Sequence, residues 1–412
     1  MLSSIRKLPG PSVWLQPILG QIGPQLRDPV IWGEKGYITR NKAYGRVRKV
    51  PIFLGQLRVE ISDPRWLTYV LSGNASNFCR GDLTAVEQLE VTAGNSLLVA
   101  DGTRHKRLRK IASPAFRLTN LRNITPCLIL TSMRLVYRWK QMAQLNKGFV
   151  IRSIRPDLGD LSLDILGLTA FGFDYRASYG DSTKLSRNLN RITAQSWPSA
   201  YGLLPGYISS LSLIRKWTQS NLPLLIQRRL LLPLRDILHS VEMGLKENKH
   251  NTTTDEATHL GSTEKTRDNA AEIKSRDDSR QHESENASRC QNLLSYIKNA
   301  NDAGSLSPDE VLDMITTFIF AGHDTTSLAM TWTLLLLADH PEVQERCGKE
   351  ADAFWCGKDK LEACWDDFNG QTMKLPYIKA TIQESMRLYP PVPYLSRKTI
   401  KEDTIAGYHI PA

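Results

Sequence analysis

The sequence contains no CxxC pair, no Cys/His spacing suited to zinc and no apolar run long enough to span a bilayer. Its opening, MLSSIRKLPGPSVW, lacks the apolar stretch of a secretory leader. Six cysteines (Cys79, Cys127, Cys290, Cys347, Cys356 and Cys364) without such patterns point to free thiols in a reducing compartment. The motifs of nucleic-acid binding are also missing, although 53 Lys and Arg outnumber 42 Asp and Glu to give a net charge of +11. That surplus suits an anionic membrane face or an acidic protein, or makes a generally basic surface. No metal ligands are expected.

Two local absences divide the 412 residues. Between Lys246 and Arg289 there are no aromatics, and Leu260 and Ile273 are the only large aliphatics, so the segment is expected to be a disordered connection. From Val311 to His340 there is no Lys or Arg. A capping box, Ser307 with Glu310, and Pro308 at the first position mark the start of a helix that is apolar on nearly every face. Elsewhere, GRVRKVPIFLGQLRVEISDP reads as two strands around Gly55, and DPRWLTYVLSG as a helix capped by Asp63 and ended by Gly73. DGTRHKRLRKIASPAF and LGDLSLDILGLTAFGFD read as further helices, the second amphipathic. The class expected is mainly α with a small β region.

The apolar helix is interrupted at its middle by AGHDTT. Ala321 and Gly322 lie one turn before Thr325 and would leave a groove beside it, while glycine and a back-bonding threonine would distort the helix locally. Two readings stand. Thr325 and Thr326 could bond back to the helix while Asp324 finds a cation, with no chemistry involved. Alternatively, a carboxylate beside a hydroxyl over a cleft could deliver protons to a reacting oxygen.

AGHDTT resembles the oxygen-activating helix motif of the cytochrome P450 superfamily, the haem-thiolate monooxygenases. HPEVQERCGKEADAF and LPYIKATIQESMRLYPPVPYLSRKTIKEDTIAGYHIP resemble the stretches that follow it in that family, in the same order. By this resemblance Asp324 and Thr325 are catalytic and Ala321 and Gly322 make room for oxygen. Glu384 and Arg387, a surface ion pair on spacing alone, would be a buried pair bracing the core. Arg397 would hold a haem propionate. DGTRHKRLRKIASPAF is similar to the family's WxxxR helix, with His105 at the tryptophan position and Arg109 at the arginine; otherwise it is a solvated basic face. LPGP and LTAFGFD fit eukaryotic microsomal members.

The resemblance implies a single P450-like domain over 1–412, with 246–289 as a variable inter-helical segment. It implies haem b, an NADPH-dependent reductase, a lipophilic small-molecule substrate, possible peripheral membrane contact, and no nucleic acid. The location would be cytoplasmic or the cytosolic face of the endoplasmic reticulum, without a transmembrane anchor. Apolar residues after Pro391 and around Leu97 to Val99 would line the substrate pocket, and the overall flavour is that of fungal secondary metabolism. One departure is large. The loop carrying the family's haem-ligand cysteine would follow GYHIPA, so the fold is expected to be C-terminally incomplete. The rival expectations are a truncated, catalytically inactive P450 remnant and a membrane-surface scaffold indifferent to Asp324 and Thr325.

Overall fold

The computed structural model describes residues 3–10, 41–51, 57–80, 97–117, 120, 124–146, 148, 153–179, 292–355, 375–392 and 394–412. The polar segment 246–289 lies outside them, and so does the expectation of disorder there. Helices carry most of the described chain. Among the described residues the β region is three separate antiparallel ladders of two strands each.

A single-turn helix α1 (Ser3–Arg6) precedes the first ladder, β1 (Val47–Pro51) on β2 (Leu57–Ile61), which is the pair expected around Gly55. Helix α2 (Pro64–Thr68) starts as its sequence dictates: the Asp63 side chain accepts the Arg65 N–H at 2.9 Å and Pro64 holds the first position. It then widens into a π-turn over Tyr69–Gly73, so Gly73 closes the element rather than following it. Strand β3 (Phe78–Cys79) comes next, then α3 (Gly102–Ala112), α4 (Thr125–Leu145), α5 (Arg155–Leu166) and α6 (Leu293–Asp302). The long α7 (Pro308–Asp339) is followed by α8 (Pro341–Trp355), α9 (Pro376–Leu388), β4 (Lys398–Thr399), β5 (Asp403–Ile405) and β6 (Tyr408–Ile410).

The core is organised around α7. Its capping box forms in both directions, Ser307 Oγ accepting the Glu310 N–H and Glu310 Oε2 accepting the Ser307 N–H, each at 3.2 Å. Ile315 and Ile319 bury against Leu163, Phe171 and Tyr175, while Met330 packs beside Leu158 and Leu161. Helix α5 therefore runs antiparallel along α7. Each large apolar side chain sealed here contributes about 2 kcal/mol of transfer free energy.

Helix α5 is not amphipathic in the expected sense, because every residue from Asp157 to Asp164 is buried. Its acids are met from elsewhere in the chain. Trp139 Nε1 donates to Asp157 Oδ2 at 2.7 Å, and the N–H groups of Ala177 and Ser178 each donate to Asp164 at 2.8 Å. Burial pushes the Asp164 carboxyl above the usual carboxylate range, partly offset by those donors.

Candidate functional site

The middle of α7 runs through AGHDTT without a break, so the expected local distortion is not found. Thr325 Oγ1 donates to the Ala321 carbonyl at 2.6 Å. Thr317, Thr331 and Thr333 make the same bond one turn back at 2.7 to 2.8 Å, so back-bonding marks no special bend here. Gly322 has a packing reason instead. A Cβ at that position would stand 2.8 Å from Leu166 Cδ1, so α5 is close because Gly322 has no side chain. Its small size serves the α5 interface, while Ala321 and Thr325 are half-buried beside it.

Asp324 finds a cation. Arg155, at the start of α5, places Nη2 3.6 Å from Asp324 Oδ1, with the arginine half exposed and the acid 19% exposed. Burial raises the Asp324 carboxyl above its ordinary range and Arg155 pulls it back. The acid thus meets a half-exposed guanidinium at the edge of the α5–α7 contact. The neighbouring His323 is 2% exposed, and neither ring nitrogen has a partner among the described residues. Burial, then the Arg155 charge, lowers its imidazole to about 4, so the ring is neutral. The sequence reading missed both Arg155 and the sealing of His323.

A second group assembles from three chain segments. In the β3–β4 ladder Phe78 pairs with Thr399 and Cys79 with Lys398. Continuing that register by one residue sets Arg80 opposite Arg397, and strand alternation turns both away from the face of Cys79. Like charges directly opposite in a ladder are unfavourable, so something must hold them. Arg80 donates to the carbonyls of Leu97 and Ala100, and its own N–H donates to Asp101 Oδ2 at 2.8 Å. Asp101 is the N-cap residue of α3, but its side chain caps nothing in the helix because it is committed to Arg80.

His105 and Arg109, one helical turn apart on α3, complete the group. Arg80 Nη2 donates to His105 Nε2 at 3.1 Å. Arg109 is close enough to repel both Arg80 and His105, and Arg397 repels Arg80. Among the described residues the Arg109 side chain is exposed without a hydrogen-bond partner, and the Arg397 guanidinium donates only to the carbonyl of Ser396. Among the described residues, three guanidiniums and one carboxylate leave a surplus of two positive charges. Leu98, Val392 and Leu395, close in sequence to Ala100 and Arg397, are 39%, 49% and 63% exposed, so the segments that build the cluster also carry exposed apolar side chains. An apolar plate with two carboxylates on one edge fits both features, which is the shape and charge of haem. The sequence pointed to His105, Arg109 and Arg397, and the ladder register adds Arg80.

The Glu384 and Arg387 pair forms, two-pronged at 2.7 and 2.6 Å, but its side chains are 55% and 66% exposed rather than buried. Helix α9 meets its neighbours with another face. Ser385 bonds Thr333 of α7, Thr381 lies 3.6 Å from Cys347 of α8, and Glu350 of α8 accepts the N–H groups of Tyr377 and Ile378. With the contacts set at 381 and 385, helical periodicity turns Arg387 outward.

A profile of the Cytochrome P450 family matches residues 40–222 and 249–412. The chain is 26% identical over 415 residues to Cytochrome P450 monooxygenase 205 of Postia placenta, covering 98% of this chain and 68% of that protein. It is 24% identical over 362 residues to Cytochrome P450 monooxygenase claQ of Ampulloclitocybe clavipes, covering 87% and 60% respectively. To Cytochrome P450 CYP72A616 of Paris polyphylla it is 26% identical over 356 residues, covering 86% and 59%. The chain thus spans about three fifths to two thirds of the length of these relatives.

Proposed function

The chain belongs to the cytochrome P450 family, and on that premise we propose that it serves a haem-dependent monooxygenase that inserts one oxygen atom of dioxygen into a lipophilic small molecule. The observation that carries the reading is the cradle of Arg80, His105, Arg109 and Arg397, whose surplus of two positive charges matches the two carboxylates of haem. Haem, when bound, supplies the redox chemistry that activates dioxygen.

The residues of the chain do the rest. Arg80, Arg109 and Arg397 hold the carboxylates through charge-assisted bonds, and His105 orients against Arg80. Asp324 holds a proton near the reacting centre and exchanges it with solvent when Arg155 swings away. Thr325, anchored on the Ala321 carbonyl, presents its oxygen lone pairs as the inner member of that relay. Ala321 leaves space beside it, and Gly322 lets α5 and α7 close so that water is excluded from behind. Electrons come from an NADPH-dependent reductase. The exposed apolar side chains on the segments that build the cradle suit a lipophilic substrate and peripheral membrane contact, at the cytosolic face of the endoplasmic reticulum, and the similarity to fungal monooxygenases such as claQ suits a role in secondary metabolism. Among the described residues no helix is long and apolar enough to cross a membrane.

The test uses the complete product of the transcript, loaded with haem and supplied with NADPH and a reductase. Thr325→Ala is expected to keep consuming NADPH while yielding several-fold less oxygenated product per NADPH. Unchanged coupling in that variant contradicts the relay.

A further inference from the structure

The cradle contains one group that can change its charge near neutral pH, and it sits among groups that cannot. A guanidinium has no acceptor, so at the 3.1 Å contact between Arg80 Nη2 and His105 Nε2 the imidazole must accept. Its proton then resides on Nδ1 and the ring is neutral. The charged groups facing it are Arg80 and Arg109, which repel a proton, and Asp101, which attracts one. Arg397 stands behind Arg80 in the ladder register. On the other side of α3, α6 packs Leu293 and Ile297 against Leu108 and Ala112, and Glu310 of α7 is taken up by Arg104 and Arg107.

We propose that His105 takes up one proton from solvent when the cradle binds the two-carboxylate edge of haem, so that cofactor occupancy is coupled to pH. The inference rests on the haem reading above. Burial and the neighbouring arginines keep the ring neutral, and two carboxylates remove the second of these causes by offsetting the positive charge. They also draw the Arg80 N–H away from Nε2, because a charge-assisted bond to a carboxylate is stronger than one to an imidazole. The freed lone pair binds a proton, and the imidazolium donates it as a hydrogen bond to a carboxylate oxygen. No electron moves, and the balance is one proton from water per haem bound. Burial and the two arginines hold the free imidazole below its ordinary value, which sets the sense of the linkage: occupancy tightens as pH falls.

Zinc protoporphyrin IX and its dimethyl ester are suitable probes, since both fluoresce, neither requires turnover, and only the first carries carboxylates. Their dissociation constants would be measured on the full chain between pH 6 and pH 8, with the wild type and His105→Gln, which donates a hydrogen bond but does not titrate. The expected result is a diacid that binds the wild type several-fold more tightly at pH 6 than at pH 8, with a slope no steeper than about tenfold per pH unit, the limit for one proton. His105→Gln is expected to be flat, and the ester weaker and flat in both proteins. A diacid preference with no pH slope in the wild type overturns proton uptake while leaving the haem reading in place. A slope that survives His105→Gln overturns the assignment to His105. Equal binding of acid and ester, or no binding of either, overturns the haem reading and the inference with it.

Discussion

The α5–α7 interface and the β3–β4/α3 cradle both collect polar residues, and they treat them in opposite ways. At the interface, Asp157 and Asp164 are buried and each is met by donors from another element. His323 is sealed there as a neutral ring, and Gly322 is small because Leu166 needs the room. At the cradle, three arginines remain half-buried or exposed, two of them one residue beyond the end of the β3–β4 ladder, with a single carboxylate among the described residues beside them. The first region spends its polar groups on closing the fold, at the cost of a histidine that cannot ionise. The second leaves positive charge unmatched, which is unfavourable for the isolated chain and useful only when an anion arrives. Unmatched charge at a surface is therefore the stronger sign of function here, and buried polarity the weaker one.

The sharpest way to break this contrast is acid. Unfolded, the His323 ring titrates near its ordinary value of 6.5; folded, it titrates at about 4. Between these values the unfolded chain binds a proton that the folded chain refuses, so stability present above the higher value is lost as pH falls to the lower. The loss reaches about 3 kcal/mol. Urea unfolding of wild type and His323→Leu at pH 7 and pH 4 should show this difference in slope; parallel behaviour would mean that the ring is not sealed. A smaller effect is expected from Gly322→Val, which drives a branched side chain into Leu166 and should cost about 2 kcal/mol in the same assay. No loss would mean that Leu166 turns aside to admit the side chain, so that Gly322 does not set the α5–α7 spacing.

Glu384→Gln sharpens the comparison from the surface side. Because its ion pair with Arg387 is more than half exposed, the substitution should leave the unfolding midpoint of this chain where it was. A large loss would instead indicate a buried pair.

These contrasts also show what could be read from residues alone. The capping box, the lysine-free and arginine-free run and the proline at the first position located α7, because caps and local composition act within a few residues. The strands around Gly55 were legible for the same reason. Helix α5 was misread as amphipathic because its acids are satisfied by Trp139, Ala177 and Ser178, and no local period announces partners at that distance. The exposure of Glu384 and Arg387 followed from which face of α9 meets α7 and α8. Arg80 was invisible because it depends on a ladder register between segments 319 residues apart, counted from Cys79 to Lys398. His105, Arg109 and Arg397 were singled out through their resemblance to a family motif, and the structure sets them around Arg80, which the motif left out.

The central claim is that the cradle trades stability of the isolated chain for binding of haem carboxylates. The most direct measurement is the unfolding midpoint of the wild type and Arg397→Gln, each without and with haem. Without haem, the account predicts that the variant is as stable as the wild type or slightly more so, by about 0.5 kcal/mol, because a like-charge pair has been relieved. With haem, it predicts that the variant loses most of the stabilisation that binding gives the wild type. A variant that is less stable without haem, yet gains as much from haem as the wild type, would contradict it.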